Sequence, residues 1–321
     1  MRLSFLGVSH WHSTMHAEAA LAAGATVQTA WDPDAAATAA FADRFSCTMS
    51  SSLENALEGA DFAVVMGRPS EIADRGLAVT EAGVPLLIEK PIGISAAASD
   101  LLIASAERNK SFVTVALPHG LGMMAAVRNL AKAERLGTIS HSHFRLINGP
   151  PQRYVNDGVP WVLDRGVGGG GALRNLGIHG VSAFLTLAGA QPVEIVSISF
   201  GRPLHETEVE DYAVVVLRAP DGMIGIVEAG YTFPSMSRGL FEWRVSAKNA
   251  SLIDAGDRLT VTTLDDGSEQ ILPITLPAHR YNDVLADTLK RFSHDLPPAT
   301  SLADCRRAME IIDHCYALKG N

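Results

Sequence analysis

The first third of the chain alternates short apolar runs with helical patterns, and this alternation constrains the fold more than any other feature. The apolar runs predict strands at residues 3–6, 26–31, 62–66, 85–89 and 112–117. Helical patterns between them cover residues 13–23, 35–45, 72–82 and 96–108. Strands that are apolar on both faces and separated by helices are typical of a parallel sheet covered on both sides. With right-handed crossovers, the pattern predicts an α/β Rossmann domain with a doubly wound parallel sheet over residues 1–118.

The rest of the chain has a different pattern, in which strands follow one another after a single helix. We predict that helix at residues 123–135 and strands at residues 143–147, 193–200, 212–218, 223–230, 241–247 and 259–263. Turn sequences such as Pro220-Asp221-Gly222 are typical of hairpins. We therefore expect a second, α+β domain over residues 119–321 with a largely antiparallel open sheet. Helices at residues 281–294 and 302–318 close the chain, and the last one is expected to pack back on the first domain.

Composition excludes several classes of protein. The 321 residues, 47% of them hydrophobic, suffice for two domains with buried cores and exclude intrinsic disorder. The net charge of −9 argues against a nucleic-acid partner, which requires clustered basic residues. No apolar stretch reaches the roughly 18 residues that span a bilayer, so no membrane contact is expected. The three cysteines, Cys47, Cys305 and Cys315, cannot form a disulfide framework, and we expect a cytoplasmic protein.

The first predicted strand runs into a turn, Gly7-Val8-Ser9-His10-Trp11-His12, and then into a helix. Position and context match the Gly-rich turn that holds a dinucleotide pyrophosphate at a helix N-terminus. Ser9 replaces the second glycine of that motif and His12 the third. Ser9 is expected to offer its backbone N–H and its hydroxyl to phosphate, and His12 to point away or shift the helix. The alternative is an ordinary strand-to-helix turn.

Asp32 supports the dinucleotide interpretation. It ends the second predicted strand, 20 residues after His12, where a carboxylate accepts hydrogen bonds from the adenosine ribose. A carboxylate at this point repels the extra phosphate of NADP, so NAD is the favoured cofactor. Asp32 is alternatively a helix cap, but Asp34 suits that role better and leaves Asp32 free.

Three histidines near the N-terminus raise the question of a metal. His12 and His16 are one helical turn apart, and His10 is close in sequence, which is a genuine ligand spacing. No carboxylate accompanies them in the usual pattern. Packing, or contact of His10 or His12 with substrate or nicotinamide, is therefore favoured, and no metal site is predicted.

Two further motifs, about 80 residues apart, are the most specific in the chain. The first is Ile88-Glu89-Lys90-Pro91 at the end of the predicted strand at residues 85–89, and the second is the glycine run at residues 168–171 followed by Asn175 and His179. Together they resemble the glucose–fructose oxidoreductase, inositol dehydrogenase and rhizopine-catabolism (Gfo/Idh/MocA) family. The resemblance implies NAD(P)-dependent hydride transfer on a sugar, cyclitol or related polyol.

The resemblance also implies roles for particular residues. Lys90 bonds the reacting oxygen beside the nicotinamide, and His179 is the general acid/base. The bond before Pro91 is often cis in the family. Asn175 stands where the family usually has Asp, so it can orient a substrate hydroxyl but cannot stabilise an imidazolium by charge.

The remaining site predictions follow from position in the chain. Gly67-Arg68-Pro69 and His119 stand where the family commonly has other residues and are expected to line an altered pocket. The residues predicted to contact the cofactor are Gly7, Ser9, His10, Trp11, His12, Asp32, Gly67, Arg68, Pro69, Glu89, Lys90 and Pro91. The residues predicted to line the substrate pocket are His119, Tyr154, Trp161 and Arg165.

Two other functions remain open from sequence alone. One is a catalytically silent dinucleotide-binding sensor, which Ser9 and Asn175 would suit. The other is a hydrolase or lyase that uses bound NAD for transient oxidation. The resemblance also implies a homodimer or homotetramer through the open face of the second-domain sheet.

Overall fold

The computed structural model describes residues 1–118, 122–265 and 267–319. Its first sheet has six strands in the order β3-β2-β1-β4-β5-β6, and every pair is parallel. These strands are β1 (Arg2–Leu6), β2 (Thr26–Trp31), β3 (Thr48–Met49), β4 (Phe62–Val65), β5 (Leu86–Ile88) and β6 (Val113–Val115). The strand order reverses next to β1, and in such sheets the ligand crevice lies at the carboxyl ends of the strands at this reversal.

Five helices connect and cover this sheet. They are α1 (Ser13–Ala22), α2 (Ala35–Phe45), α3 (Leu53–Leu57), α4 (Ile72–Glu81) and α5 (Asp100–Asn109), the last preceded by a 3₁₀ turn at Ala97–Ser99. The predicted Rossmann fold is confirmed, with β4 and β5 buried on both faces. Asp34 caps α2 by accepting hydrogen bonds from the backbone N–H groups of Ala36 and Ala37, as its position indicated.

The second sheet has eight strands in the order β14-β13-β12-β11-β7-β10-β9-β8. They are β7 (Ile139–Ile147), β8 (Glu194–Gly201), β9 (Tyr212–Arg218), β10 (Ile224–Gly230), β11 (Leu240–Ala247), β12 (Ala250–Asp254), β13 (Leu259–Thr263) and β14 (Glu269–Leu272). Only β7 and β10 pair in parallel, so the predicted, largely antiparallel sheet is confirmed. The short strands β12 and β14 were not predicted.

Helices cover one face of this second sheet and leave the other open. The covering helices are α6 (Gly122–Lys132) and a longer helical segment that begins as a π turn at Leu173–Gly177 and continues as α9 (Ile178–Ala188). Before that segment, a long connection contains α7 (Pro151–Asn156), a 3₁₀ turn at Pro160–Leu163 and α8 (Arg165–Gly168). Along β9 and β10, buried side chains facing the helices alternate with half-buried ones on the open face.

The chain ends by returning to the first sheet. After a 3₁₀ turn at Pro277–His279, α10 (Arg280–Ser293) packs its apolar face into the core cluster that contains Phe5 and Phe62. The last helix, α11 (Leu302–Leu318), joins the core shared by β6 and α9. The two sheets are thus tied together by the C-terminal helices, and a domain boundary near residue 118 stays a prediction. Within residues 1–118, 122–265 and 267–319, no helix has the length and apolar character to cross a membrane.

Candidate active site

The turn after β1 is built around a glycine. Gly7 has φ of +86°, and a Cβ atom there would lie 2.0 Å from the carbonyl oxygen of Met66, so no other residue fits. Two residues on, Ser9 donates hydrogen bonds from its backbone N and its Oγ to the same oxygen of Asp32, at 2.9 and 2.7 Å. Asp34 and not Asp32 caps α2, so Asp32 is free of the capping role as expected. Both donors of Ser9 are bonded to Asp32, whereas we expected them to face phosphate. These bonds join the turn after β1 to the residue that follows β2, 23 residues away.

Asp32 keeps the capacity to bind a ribose. Its Oδ2 accepts the two bonds from Ser9, and its Oδ1 accepts one from the backbone N of Asp34 at 2.9 Å. A carboxylate has about four acceptor positions, so one remains on Oδ1. Asp32 borders a cavity of about 280 Å³ at the carboxyl ends of β1 and β2. That cavity is also lined by Ser9, His10, Pro33, Asp34, Gly67, Arg68, Glu71, Arg75, Gly158 and Trp161.

Neighbouring cavities share lining residues from this point towards the second sheet. His10 and Trp161 border both the cavity at Asp32 and a small one beside Lys90 and Pro91. Trp11 and Lys90 border that small cavity and a third one, which is the largest of the three at about 700 Å³. The series spans the crevice at the strand-order reversal and has the elongated form that a dinucleotide requires. The turn residues and the cavities therefore suit a dinucleotide.

The largest cavity lies between the two sheets. Its wall is mainly apolar and aromatic, with a few charged and amide groups. The lining residues are Trp11, His12, Met15, Lys90, Pro118, Phe144, Leu146, Asn148, Arg153, Asp157, Leu176, His179, Ser237, Gly239, Leu240, Phe241, Pro277, Arg280 and Tyr281. Such a lining is typical of a small-molecule pocket, where few polar groups fix orientation.

Lys90 joins the two motifs that the sequence singled out. It follows β5 and precedes a cis peptide bond to Pro91. Its Nζ donates to the backbone oxygen of Asn175 at 2.9 Å and to the side-chain Oδ1 of Asn175 at 3.2 Å. Burial lowers the pKa of Lys90, although the neighbouring Glu89 carboxylate opposes that shift.

Asn175 lies in the π turn and is held from its other side by two tyrosines. Its Nδ2 donates to the hydroxyl of Tyr231 at 3.1 Å and lies 3.5 Å from that of Tyr154. Burial raises the pKa of both tyrosines, so both are neutral donors and acceptors. Four residues after Asn175, His179 borders the largest cavity from α9.

The residues predicted to line the substrate pocket lie in different parts of the structure. Tyr154 is completely buried and supports Asn175 instead of lining the largest cavity. Trp161 lies on the cofactor side of the crevice, beside His10 at a ring distance of 6.0 Å. Arg165 begins α8 and borders none of the three cavities described above. His119 lies outside the described residues.

A hydrogen-bonded cluster joins α1 to the end of β5. The Nδ1 of His12 and the Nε2 of His16 lie 2.8 and 2.7 Å from the same oxygen of Glu89. Glu89 is completely buried, so it does not contact a cofactor in the predicted way. Burial alone would raise the pKa of Glu89, but the bonds from His12 and His16 hold it well below its usual value. Burial lowers the pKa of His12 and, more strongly, that of His10.

Comparison with known proteins identifies the family. Residues 1–117 match the model described as "Oxidoreductase family, NAD-binding Rossmann fold", and residues 124–253 match the GFO/IDH/MocA C-terminal domain. The chain belongs to the Gfo/Idh/MocA family. It is thus an oxidoreductase whose first domain is an NAD-binding Rossmann fold, and the family resemblance drawn from its motifs is confirmed.

Two curated proteins and a solved structure are similar to the chain. The chain is 26% identical over 235 residues to a 1,5-anhydro-D-fructose reductase of Ensifer adhaerens, covering 70% of this chain and 67% of that protein. It is 30% identical to a mouse trans-1,2-dihydrobenzene-1,2-diol dehydrogenase, over 45% of this chain and 41% of that protein. A structure of levoglucosan dehydrogenase with NADH and levoglucosan has the same fold, with a TM-score of 0.85, 15% identity, and coverage of 99% and 96% of the two chains.

Some residues of this Gfo/Idh/MocA site could not be found from the sequence. Tyr281 and Arg280 line the largest cavity from α10, which is distant in sequence from the other lining residues. The apolar face of α10 indicates that the helix packs against the rest of the protein, but it does not indicate which surface the helix packs on. The carboxylate that accompanies His12 and His16 was missed for the same reason, because Glu89 is 73 residues from His16.

Proposed function

We propose that the protein is an NAD-dependent dehydrogenase or reductase that moves a hydride between nicotinamide and a hydroxyl-bearing carbon of a sugar, cyclitol or related polyol. The observation that supports this most directly is the position of Lys90 and His179. Both border a cavity of about 700 Å³, and that cavity adjoins the crevice of an NAD-binding fold. Oxidation of a carbinol needs a group that holds the developing alkoxide and a group that takes its proton.

Each residue has a specific task in this proposal. The ammonium of Lys90 donates to the reacting oxygen, and His179 accepts the hydroxyl proton or returns it in the reverse direction. Asn175 positions Lys90 through its two oxygens and is itself fixed by Tyr231. Bound NAD supplies the hydride acceptor. The aromatic wall, which includes Trp11 and Phe241, excludes water from the reacting carbon.

The substrate class is supported by the polar groups and by the relatives. Asn148, Arg153 and Asp157 are among the polar residues that line the cavity, and they suit several hydroxyl groups of one ligand. The relatives named above act on an anhydrosugar, a levoglucosan and a cyclic diol, which share adjacent hydroxyl groups on a ring. A cyclic polyol is therefore the first class of substrate to test.

The preference for NAD over NADP rests on Asp32. Its carboxylate borders the adenosine side of the crevice, where the extra phosphate of NADP would add negative charge. Arg68 and Arg75 border the same cavity and share the carboxylate of Glu71, at 4.0 and 2.7 Å. Their two positive charges are opposed by the carboxylates of Glu71, Asp34 and Asp32, which line the same cavity.

Association into a homodimer or homotetramer is supported by the open face of the second sheet. Val214, Val216, Ile224 and Ile226 lie on that face and are half-buried in the single chain, and Val216 is paired with Ile226 across β9 and β10. Val214 is paired with Glu228 and Ile224 with Arg218, so the face combines apolar and charged groups. A partly apolar face of this kind suits a subunit interface. Cys47, Cys305 and Cys315 are free thiols, which suits the proposed cytoplasmic location.

The deciding experiment is a screen of cyclitols, aldoses, anhydrosugars and sugar acids with NAD, in which NADH absorbance is followed. The Lys90→Ala protein is the control for reduction that does not depend on the site. We expect NADH formation with at least one polyol and none with the variant. A protein that binds NAD but reduces none of these compounds would favour the sensor alternative. Release of a product without net NADH would favour the hydrolase or lyase alternative.

A further inference from the structure

The cluster of His12, His16 and Glu89 places three metal-ligating atoms together. Nδ1 of His12, Nε2 of His16 and Oε1 of Glu89 all lie within 4.8 Å of one another. His12 directly precedes α1, His16 lies in its first turn, and Glu89 directly follows β5. Glu89 is therefore the carboxylate that the sequence pattern around His12 and His16 lacked. Its absence from that pattern was the argument against a metal site.

The donor set is that of a zinc-class ion. Two imidazole nitrogens and one carboxylate oxygen form the three-ligand set of catalytic zinc sites, which keep a fourth position open. Zinc–ligand bonds of about 2.0–2.2 Å place tetrahedral ligands about 3.3 Å apart. Since Glu89 Oε1 lies 2.7–2.8 Å from each nitrogen, each of these two distances must lengthen by only about half an ångström. When one ring nitrogen of an imidazole coordinates the ion, the proton of the neutral ring lies on the other nitrogen.

Burial determines which side of the cluster is open. The side chains of His16 and Glu89 are completely buried, whereas that of His12 is 16% exposed and borders the largest cavity. His16 Nδ1 has no hydrogen-bond partner among the described residues. Glu89 therefore provides the one described hydrogen bond of this buried ring, and coordination through Nε2 would replace that bond directly.

We propose that His12, His16 and Glu89 form a binding site for a zinc-class divalent cation, with its open coordination position towards the largest cavity. Glu89 contributes one negative charge, and the two imidazoles bind in their neutral form. Water occupies the open position in the absence of substrate. If the proposed polyol chemistry is correct, a substrate hydroxyl takes that position beside Lys90; this last step alone rests on the proposed function.

The chain offers a matched control for this site. On the open face of the second sheet, Nε2 of His143 lies 2.7 Å from Glu228, in an imidazole–carboxylate pair like those of the cluster. The Glu228 carboxylate also accepts hydrogen bonds from Arg145 and Tyr212. At neutral pH arginine is a cation and tyrosine is a neutral donor, so neither is a metal ligand. Among the described residues, no second histidine joins that pair within ligand distance.

The test measures metal binding on the full-length protein after treatment with a chelator. Cobalt(II) is titrated and followed by its visible absorption, and zinc affinity is measured by competition with a chromophoric chelator. We expect one ion per chain with Kd below about 1 µM, an absorption typical of four-coordinate cobalt, and a loss of about 100-fold or more in His12→Gln. His143→Gln should bind like the unaltered protein.

Two results would overturn the proposal. One is a chain that binds neither ion more tightly than about 100 µM, which would leave the cluster as a hydrogen-bonded network. The other is equal binding by His12→Gln and the unaltered protein, which would place any ion elsewhere. Because His12 is at the edge of the cavity, its variant is expected to fold, and Glu89→Gln, checked by circular dichroism, provides a second variant. These readouts need no turnover, so a failure here is distinct from a failure of the polyol assay.

Discussion

Lys90 is hydrogen-bonded to Asn175 twice, through the backbone oxygen at 2.9 Å and the side-chain Oδ1 at 3.2 Å. These bonds join the end of β5 in the first sheet to the π turn that packs on the second sheet. Both acceptors are neutral, so within this contact the ammonium is held by dipoles and not by an opposite charge. Burial lowers the pKa of Lys90, and the carboxylate that counteracts the shift belongs to Glu89.

Replacing Lys90 with Ala removes the donor that would hold the developing alkoxide. We expect turnover of the substrate found in the screen to fall by about 1,000-fold, as it does when an oxyanion donor is lost. Affinity for NAD should stay close to that of the unaltered protein, because Lys90 lies at the far end of the crevice from Asp32. Steady-state rates and fluorescence titration of the cofactor measure the two effects separately. Unchanged turnover would remove Lys90 from the mechanism.

Replacing Asn175 with Asp adds the carboxylate that the family usually has at this position. A negative charge about 3 Å from Nζ favours the protonated amine, so the pKa of Lys90 should rise. The high-pH limb of the kcat/KM profile should move upwards by about 1–3 pH units if Lys90 acts in its protonated form. Tyr231 can still donate to the new carboxylate, which keeps its orientation. A profile that does not move would show that Lys90 does not titrate in catalysis.

Asp32 should discriminate between NAD and NADP by charge. We expect the unaltered protein to bind NAD at least about 10-fold more tightly than NADP, since two negative groups in one small cavity repel. Asp32→Asn keeps an oxygen for the bonds from Ser9 but removes the charge, and should narrow that ratio about 10-fold. Asp43→Asn, an exposed change on α2, is the matched control. Equal affinities for NAD and NADP in the unaltered protein would contradict the assignment of Asp32.

More of the fold than of the site could be predicted from the sequence. Apolar runs identified β1, β4 and β5 because a strand buried on both faces must be apolar throughout. The strand β14, with three exposed residues out of four at the edge of the second sheet, left no such pattern. Edge strands are stabilised by pairing on one side, which local composition does not record.

In the site, local motifs were informative and long-range contacts were not. Lys90 and Asn175 were singled out separately, and the structure joins them. Ser9 was expected to face phosphate because of its place in the turn after β1. Its bond to Asp32 was not predicted, because Asp32 follows β2 and is 23 residues away. Such a bond depends on strand register, which a single sequence does not specify.

Gly169 is one of the positions in the glycine run before Asn175 that no other residue fits. Gly169 has φ of +77°, and a Cβ atom there would lie 2.5 Å from the backbone oxygen of Ile94. We expect Gly169→Ala to lower the free energy of unfolding by about 3 kcal/mol or more, since backbone cannot move aside cheaply. Gly158 has a similar φ of +74° with open space around it, so Gly158→Ala should cost only about 1–2 kcal/mol. Urea denaturation measures both, and equal losses would mean that the contact with Ile94 relaxes.

Stability at acid pH should depend on the pair of Arg2 and Asp61 at the start of β1. Asp61 accepts hydrogen bonds from the backbone N and the guanidinium of Arg2, and these lower its pKa from 3.8 to about 2. A carboxyl group with a depressed pKa stabilises the fold above its unfolded pKa, and this contribution is lost as pH falls from about 4 towards 2. Asp61→Asn should therefore lower the Tm at pH 7, and the difference from the unaltered protein should shrink between about pH 4 and pH 2. Both groups are largely solvent-exposed, so 1 M salt should also reduce the difference at pH 7. A difference in Tm that stays constant with pH would show that the ionised carboxylate does not stabilise the fold.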